Sequence, residues 1–338
     1  MATIKDIAKA TGYSITTVSR ALNGYSDVSE KTRQKIQQAA KELNYSPNAL
    51  ARSLVMQETK TIGLLVSSLT YKNSKSNFVF EMLCGINEYV GTTDFDIILF
   101  STNSVKQHLK TYTQLCRERQ VDGVILQGVK LNDPYLQEVI NSDIPCVLID
   151  IPVETSTVGY VTTNHKESAK EAVQYLIDLK HKHIAFINGY NTAYVSKLRL
   201  EGYKEALAER NIPFREEWVV DGEFSQETAR EKAHMLLTQY PEITAIFCAS
   251  DLMALGVLSA ADNLGIHVPK RLSVIGFDDI TLAEFARPAL TTVAQDKYQM
   301  GYEAVKLLIS MLHNETDTHY KELKNTLIIR ESTAENHR

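Results

Sequence analysis

TIKDIAKATGYSITTVSRALNGYSDVSEKTRQKIQQAAKELNYSPNALARSL, residues 3–54, reads as three short helices and a link. Thr3 and Asp6, three apart, mark the start of the first helix, with Ile4, Ile7 and Ala8 on one face. Thr11-Gly12-Tyr13 breaks the pattern and puts glycine where a turn needs positive φ. Ser14 is placed to cap a second helix that carries Val18, Ala21 and Leu22 inward. A helix–turn–helix of this spacing turns Ile15, Thr16, Thr17, Ser19 and Arg20 outward, where such a helix reads a major groove; Asn23-Gly24 ends it. A third helix runs from Ser29 to about Leu43 on a stripe of Ile36, Ala39, Ala40 and Leu43. Spacing alone also fits a three-helix module that holds something other than DNA. Charge favours DNA: residues 1–60 hold nine Lys/Arg against five Asp/Glu, and the remainder 27 against 36. A basic head on an acidic body suits a protein that meets phosphate at one end only.

Thr17-Val18-Ser19-Arg20, Val28-Ser29 with Thr32-Arg33, and Leu43-Asn44-Tyr45-Ser46-Pro47-Asn48-Ala49-Leu50-Ala51-Arg52-Ser53-Leu54 resemble the headpiece and hinge of the LacI/GalR family of bacterial transcription regulators. The resemblance is dense here and continues weakly to about Ser332. It implies a helix–turn–helix headpiece at 1–46, a hinge helix and linker at 47–60, and an effector-binding, dimerising core at 61–338. Pro47 forbids continuation of the third helix and suits the first turn of a new one. The segment from Asn48 to Leu54 is too short to persist alone as a helix in water. In the family this hinge helix forms when two subunits pair on operator DNA, and its leucine wedges into the minor groove. The resemblance thus assigns Ser14, Ile15, Thr16, Thr17, Ser19, Arg20, Asn23, Asn48, Arg52 and Leu54 to DNA binding. Leu54 as an anchor against the body is the alternative.

At 338 residues the chain has room for a small head and two medium domains. The opening MATIKDIAKA lacks a signal-peptide core, and no apolar run is long enough to span a membrane, so a cytoplasmic protein is expected. Cys84, Cys116, Cys146 and Cys248 lie in apolar segments without CxxC spacing and read as buried free thiols.

From Thr61 short apolar strands alternate with amphipathic helices, which implies parallel sheets covered on both faces. The cycle restarts at VGYVTT (158–163), giving two similar lobes. The expected fold is an all-α headpiece on an α/β two-lobed, periplasmic-binding-protein-like body with two parallel doubly wound sheets. The N-lobe is set at about 61–160 plus 293–322 and the C-lobe at about 161–292 plus 323–332. A tail helix near 297–313 and a strand at 326–330 would cross back between them.

Ligands of open α/β sheets sit beyond the carboxyl ends of the strands, which selects Ser67, Asp150, Ser250, Asp251, Asp278 and Asp279. The resemblance assigns Ser67, Asp150, Arg199, Phe224, Ser250 and Asp278 to an effector, and the strand-end position adds Asp251. Carboxylates, a guanidinium and one aromatic face suit a polyhydroxylated ligand. Other readings stand beside this: Asp278 or Asp279 capping a turn, Arg199 pairing with Glu201 or Glu205 on the surface, Phe224 in lobe core. Ser250 stands where the family more often has Asn, and Thr163-Asn164 where it often has Asp-Asn.

The sequence holds no GxGxxG, P-loop, GxSxG or HExxH motif, so no cofactor, metal or catalytic residue is expected. The expectation is a homodimeric DNA-binding regulator and repressor of sugar utilisation, controlled by a sugar or sugar-derived effector. The alternatives are a regulator whose main partner is a phosphorylated carrier protein and a cytoplasmic sugar-processing enzyme.

Overall fold

The computed structural model describes residues 2–45, 58–67, 77–100 and 110–337. The hinge positions Asn48, Arg52 and Leu54 lie outside these described residues. The chain divides into two compact units, Met1–Lys60 and Thr61–Arg338.

In the first unit α1 (Ile4–Thr11), α2 (Ile15–Leu22) and α3 (Glu30–Glu42) pack around Ile7, Val18, Ala21, Val28, Ile36 and Ala40. Local chemistry sets each boundary. The Thr3 backbone N–H and hydroxyl both donate to Asp6 at 2.8 Å, and these bonds hold the Asp6 carboxyl below its usual pKa. Gly12 ends α1 with φ at 77°, and the Ser14 and Ser29 hydroxyls accept from the amides of Thr17 and Thr32 to start α2 and α3.

The second unit carries two six-stranded sheets. The N-lobe sheet contains β1 (Thr61–Val66), β2 (Asp96–Phe100), β3 (Gly123–Gln127), β4 (Cys146–Ile149), β5 (Val158–Thr163) and β11 (Tyr320–Leu323), in the order β11-β5-β4-β3-β1-β2. The C-lobe sheet contains β6 (Ile184–Asn188), β7 (Val219–Asp221), β8 (Ala245–Cys248), β9 (Ser273–Asp278), β10 (Thr291–Ala294) and β12 (Thr326–Ile328), in the order β12-β10-β9-β8-β6-β7. All pairings are parallel except β10 with β12. The fold class is the one expected.

The lobe boundaries need correction. The strand 158–163 was expected to open the second lobe, with a division at about 160. It pairs instead in parallel with β4 as part of the N-lobe sheet. An apolar run specifies a strand but not the sheet edge it joins. The strand β10 at 291–294 belongs to the C-lobe and β11 at 320–323 to the N-lobe; neither was foreseen as a strand. The chain therefore crosses between lobes after Thr163, after Ala294 and after Leu323.

Three helices bear on the cleft. After the first crossover comes α7 (His165–Asp178), then α8 (Tyr194–Glu209), both in the C-lobe. After the second comes α12 (Lys297–Leu312), which packs in the N-lobe against α4 (Phe78–Val90). Glycines set how close α4 and α12 lie. A Cβ on Gly301 would stand 2.1 Å from the Met82 carbonyl oxygen, and one on Gly85 1.9 Å from that of Tyr298.

Alanine in a helix interior normally gains about 0.5–1 kcal/mol over glycine, whereas forcing packed groups apart costs about 1–3 kcal/mol. Gly301→Ala is therefore expected to lower stability, read as an earlier urea midpoint. A midpoint at or above that of the wild type would show that α4 and α12 can part freely.

Candidate functional site

On the head, Ile15 and Thr16 project from the first turn of α2 and are exposed, Ile15 to 49%. Their neighbours are partly engaged with one another. The hydroxyls of Ser14 and Thr17 share a hydrogen bond at 2.9 Å, and the Asn23 amide donates to Ser19 Oγ at 3.4 Å. Arg20 pairs with Asp27 at 2.7 Å and lies 4.6 Å from the centre of the Tyr25 ring. An exposed pair of this kind contributes about 0.2–1 kcal/mol, little enough for a phosphate or a guanine to displace Asp27.

In the body, the strand ends bring charged groups together. Asp150 follows β4, Asp278 ends β9, and Arg199 lies in the second turn of α8. Arg199 is 3% exposed. Its Nη1 donates to the Ala249 carbonyl at 2.5 Å, and Nη2 lies 3.3 Å from His165 Nδ1 and 3.9 Å from Asp278 Oδ1. The guanidinium carbon sits 3.7 Å from the centre of the Phe277 ring. Burial pulls the Arg199 pKa down, against Asp278, Asp150 and Asp251, which favour the cation. Arg199 is thus no surface partner of Glu205, which takes Lys166 and Lys170 instead. Nor does it offer a free fork to the cleft.

Burial acts on Asp150 to raise its pKa, but His165, Thr162 and Arg199 outweigh it and hold the carboxyl below its usual value. His165 Nε2 lies 2.8 Å from Asp150 Oδ1 and Thr162 Oγ1 donates to the same oxygen at 2.9 Å. For Asp278 burial wins and the pKa is raised, although Arg199, Lys297 and Gln295 all favour its charge. Gln295 Nε2 donates to Asp278 Oδ1 at 2.6 Å. Lys297, almost fully buried, donates to the carbonyls of Asp278 and Asp279 and pairs with Glu81 on α4 at 3.2 Å. Asp279 is taken by Arg330 at 2.8 Å, so neither aspartate caps the following helix.

Phe224 is half-buried, packs over Gly189 and meets the Tyr190 ring at 5.8 Å, so it serves lobe packing while keeping part of its surface. Asp150, Phe224 and Asp278 all adopt positive φ, at 60°, 51° and 110°. Such conformations in non-glycine residues collect where surrounding structure fixes a functional geometry.

Two expected site residues face elsewhere. Asp251 is wholly buried, accepting from Thr292 Oγ1 at 2.5 Å and the Ile280 amide at 2.8 Å, and burial raises its pKa well above normal. It ties β10 to the loop after β9. Ser250 is buried too, and its hydroxyl caps α10 (Asp251–Asn263) by accepting from the Met253 amide. Both end a strand by position, but the ensuing helix turns them into the fold. Ser67 donates to the Gly128 carbonyl across β1 and β3. His165, Gln295 and Lys297 were not foreseen, since a lone residue at a crossover has no signature. The only hint was the departure at Thr163-Asn164 just before His165.

Among the described residues no group of His, Cys, Asp and Glu could hold a metal, and no helix is long and apolar enough to cross a membrane.

A helix–turn–helix head and a two-lobed body with a charged cluster where its strand ends meet point to a class of DNA-binding regulator. Residues 3–48 match the model of bacterial regulatory proteins of the lacI family, and residues 173–333 that of a periplasmic binding protein-like domain. The HTH-type transcriptional repressor PurR of Vibrio vulnificus (strain CMCP6) is 35% identical over 98% of each chain. Among solved structures, the transcriptional regulator CelR–cellobiose complex is 31% identical, covering 98% of this chain and 100% of its own, with a TM-score of 0.76. The lac repressor dimer bound to operator and the anti-inducer ONPF is 26% identical, covering 98% and 99%, with a TM-score of 0.81. The chain belongs to the LacI family and is a DNA-binding transcriptional repressor.

Removing one partner from a buried charge network costs about 3–5 kcal/mol, because the remaining charges stay buried. Arg199→Met is expected to destabilise the body by this order, measured by urea unfolding. Arg199→Lys should recover little, since an ammonium cannot both stack on Phe277 and reach Ala249 and His165. Full recovery in the lysine variant would reduce Arg199 to a point charge.

Proposed function

We propose that the protein is a homodimeric repressor of a sugar-utilisation operon, binding a near-palindromic operator and responding to a sugar held between its lobes. The observation that carries this reading is the convergence of Asp150 and Asp278, one from each lobe, on a buried Arg199, with the half-buried Phe224 ring packed against Gly189 and Tyr190 in the same lobe as Arg199. Carboxylate oxygens accept hydroxyls, and an aromatic face covers the apolar side of a sugar ring. The ligand of the CelR relative, cellobiose, has this chemistry. A purine base is the second reading, favoured by the PurR relatives, because its N–H groups and flat ring would meet the same acceptors and aromatic face.

Dimerisation is supported by an exposed apolar patch. Asn77 donates to Thr281 Oγ1 at 2.8 Å, which brings the start of α4 against α11 (Thr281–Phe285), and Phe80, Leu282 and Phe285 are exposed on these two helices. The effector acts by binding one arrangement of the lobes better than another, and operator affinity follows by linkage.

A thermal-shift series of mono- and disaccharides beside purine bases tests the effector. A ligand at 100 times its Kd stabilises by about 2.7 kcal/mol, a melting rise of several degrees. A rise with a purine alone would replace the sugar. If nothing raised the melting point, a phosphorylated carrier protein would become the leading partner. For the head, Ile15→Gln with Thr16→Ala is expected to change the operator recovered by binding-site selection, at about 1–3 kcal/mol per lost base contact. Recovery of the wild-type consensus would remove these two residues from base reading.

A further inference from the structure

The residues at the lobe crossovers close into a ring of hydrogen bonds and one ion pair. Thr163 Oγ1 donates to Gln295 Oε1 at 3.1 Å, and Gln295 Nε2 donates to Asp278 Oδ1 at 2.6 Å. Arg199 Nη2 stands between that oxygen, at 3.9 Å, and His165 Nδ1, at 3.3 Å. His165 Nε2 reaches Asp150 Oδ1 at 2.8 Å, and Thr162, next to Thr163 on β5, closes the ring by donating to Asp150. The third crossover joins through Asn325, whose side chain donates to Thr163 Oγ1 and whose backbone N–H donates to Asn164 Oδ1.

The donors around His165 follow from its neighbours. A guanidinium can only donate, so His165 Nδ1 accepts from Arg199; an ionised carboxylate can only accept, so Nε2 carries the proton and gives it to Asp150. Thr163 Oγ1 also lies 3.3 Å from Nδ1 and 3.4 Å from Nε2, and a hydroxyl fits either role, so the guanidinium and the carboxylate decide the tautomer and a neutral imidazole satisfies both. The charged groups around it are Asp150 from the end of β4, Arg199 from α8 and Asp278 from the end of β9, with the Phe277 ring centred 6.0 Å away. His165 is also the first residue of α7, directly after the crossover. Its bond to Asp150 therefore spans the lobes, and its contact with Arg199 stays within the C-lobe.

We propose that His165 is the positioning residue of the cleft: a neutral imidazole that ties Asp150 of the N-lobe to Arg199 of the C-lobe. By occupying Oδ1 of Asp150 it fixes the rotation of that carboxylate, and through Arg199 it sets the distance to Asp278. The effector reading gives this tie its biological meaning, but the tie is a property of the chain alone. Its tests need no ligand, so they can fail while the effector reading stands, and the reverse.

Glutamine can reproduce the bridge, with an amide N–H for Asp150 and a carbonyl oxygen for Arg199; leucine has neither. Long-range proton–nitrogen correlation spectra of the full chain labelled with 15N-histidine, at pH 7.5, report the tautomer. The His165 signals are assigned by their loss in His165→Gln, and the expected pattern is a neutral ring protonated on Nε2. Hydrogen exchange is then followed at the amides of Asn164, Ser168 and Asn325, which are bonded around the crossovers. His165→Leu should speed their exchange by about tenfold or more, as the loss of a hydrogen bond to a charged group implies. His165→Gln should keep them close to wild type. An imidazolium, an Nδ1–H tautomer, unchanged exchange in His165→Leu, or glutamine exchanging as fast as leucine would each overturn the proposal. Should His165→Leu fail to fold, the tautomer and the protection in His165→Gln decide.

Discussion

A guanidinium almost completely removed from water constrains everything around Arg199. Such a charge needs acceptors and opposite charge near it, and Nη1 and Nη2 have theirs while the buried Nε has no hydrogen-bond partner. Here a backbone carbonyl, an imidazole nitrogen, two aspartates and an aromatic face supply those conditions, and they come from different parts of the chain. Asp278 sits at φ 110° and Asp150 at φ 60°, backbone conformations that have to be held by their surroundings. The interactions with Arg199, His165, Gln295 and Lys297 are what hold them. Site and scaffold are therefore one network, and the acidic groups that face the cleft are shaped by a cation that does not.

The topology explains why that network lies where it does. A chain that leaves one sheet and enters another three times must place three crossovers side by side, and their backbones need partners that neither sheet supplies. Thr163, Asn164, Gln295 and Asn325 fill the need with side-chain amides and hydroxyls. Lys297 adds a longer strut, from the start of an N-lobe helix to the carbonyls of the C-lobe loop that carries Asp278. Movement of one lobe against the other bears on these bonds, and on the Asn77–Thr281 bond away from the crossovers, because the cores on either side are close-packed and separate.

Much of the architecture was legible because it depends on short-range pattern. Ser14, Gly12 and Ser29 mark helix ends through their own chemistry, and the strand and helix alternation after Thr61 needs only apolar periodicity. What was misread depends on long-range pairing. VGYVTT at 158–163 looks like the first strand of a new lobe until its partner β4 is known. The site follows the same division. Asp150 and Asp278 stand at the ends of parallel strands, a position that sequence can locate. Ser250 and Asp251 obey the same rule yet turn inward, one to cap a helix and the other to bind Thr292 and Ile280. His165 and Gln295 carry no pattern at all; their meaning comes from residues far away in the chain.

The composition of the network also bounds how strongly a ligand can act. The Arg199 Nη groups have their partners inside the protein, so an effector held where we propose would gain chiefly from Asp150, Asp278 and Phe224. Its influence on DNA binding is limited to the difference in those contacts between two lobe arrangements. A few hydrogen bonds to charged groups, gained in one arrangement and absent in the other, give a coupling of about 1–3 kcal/mol, or roughly 5- to 150-fold in operator affinity. That is comparable to the discrimination a head of this kind draws from one or two base pairs, about 1–3 kcal/mol each. A change in operator affinity, in either direction, would then need no unfolding of the body. A shift at the crossovers worth a few hydrogen bonds is enough, and the ring around His165 contains bonds of that number and strength.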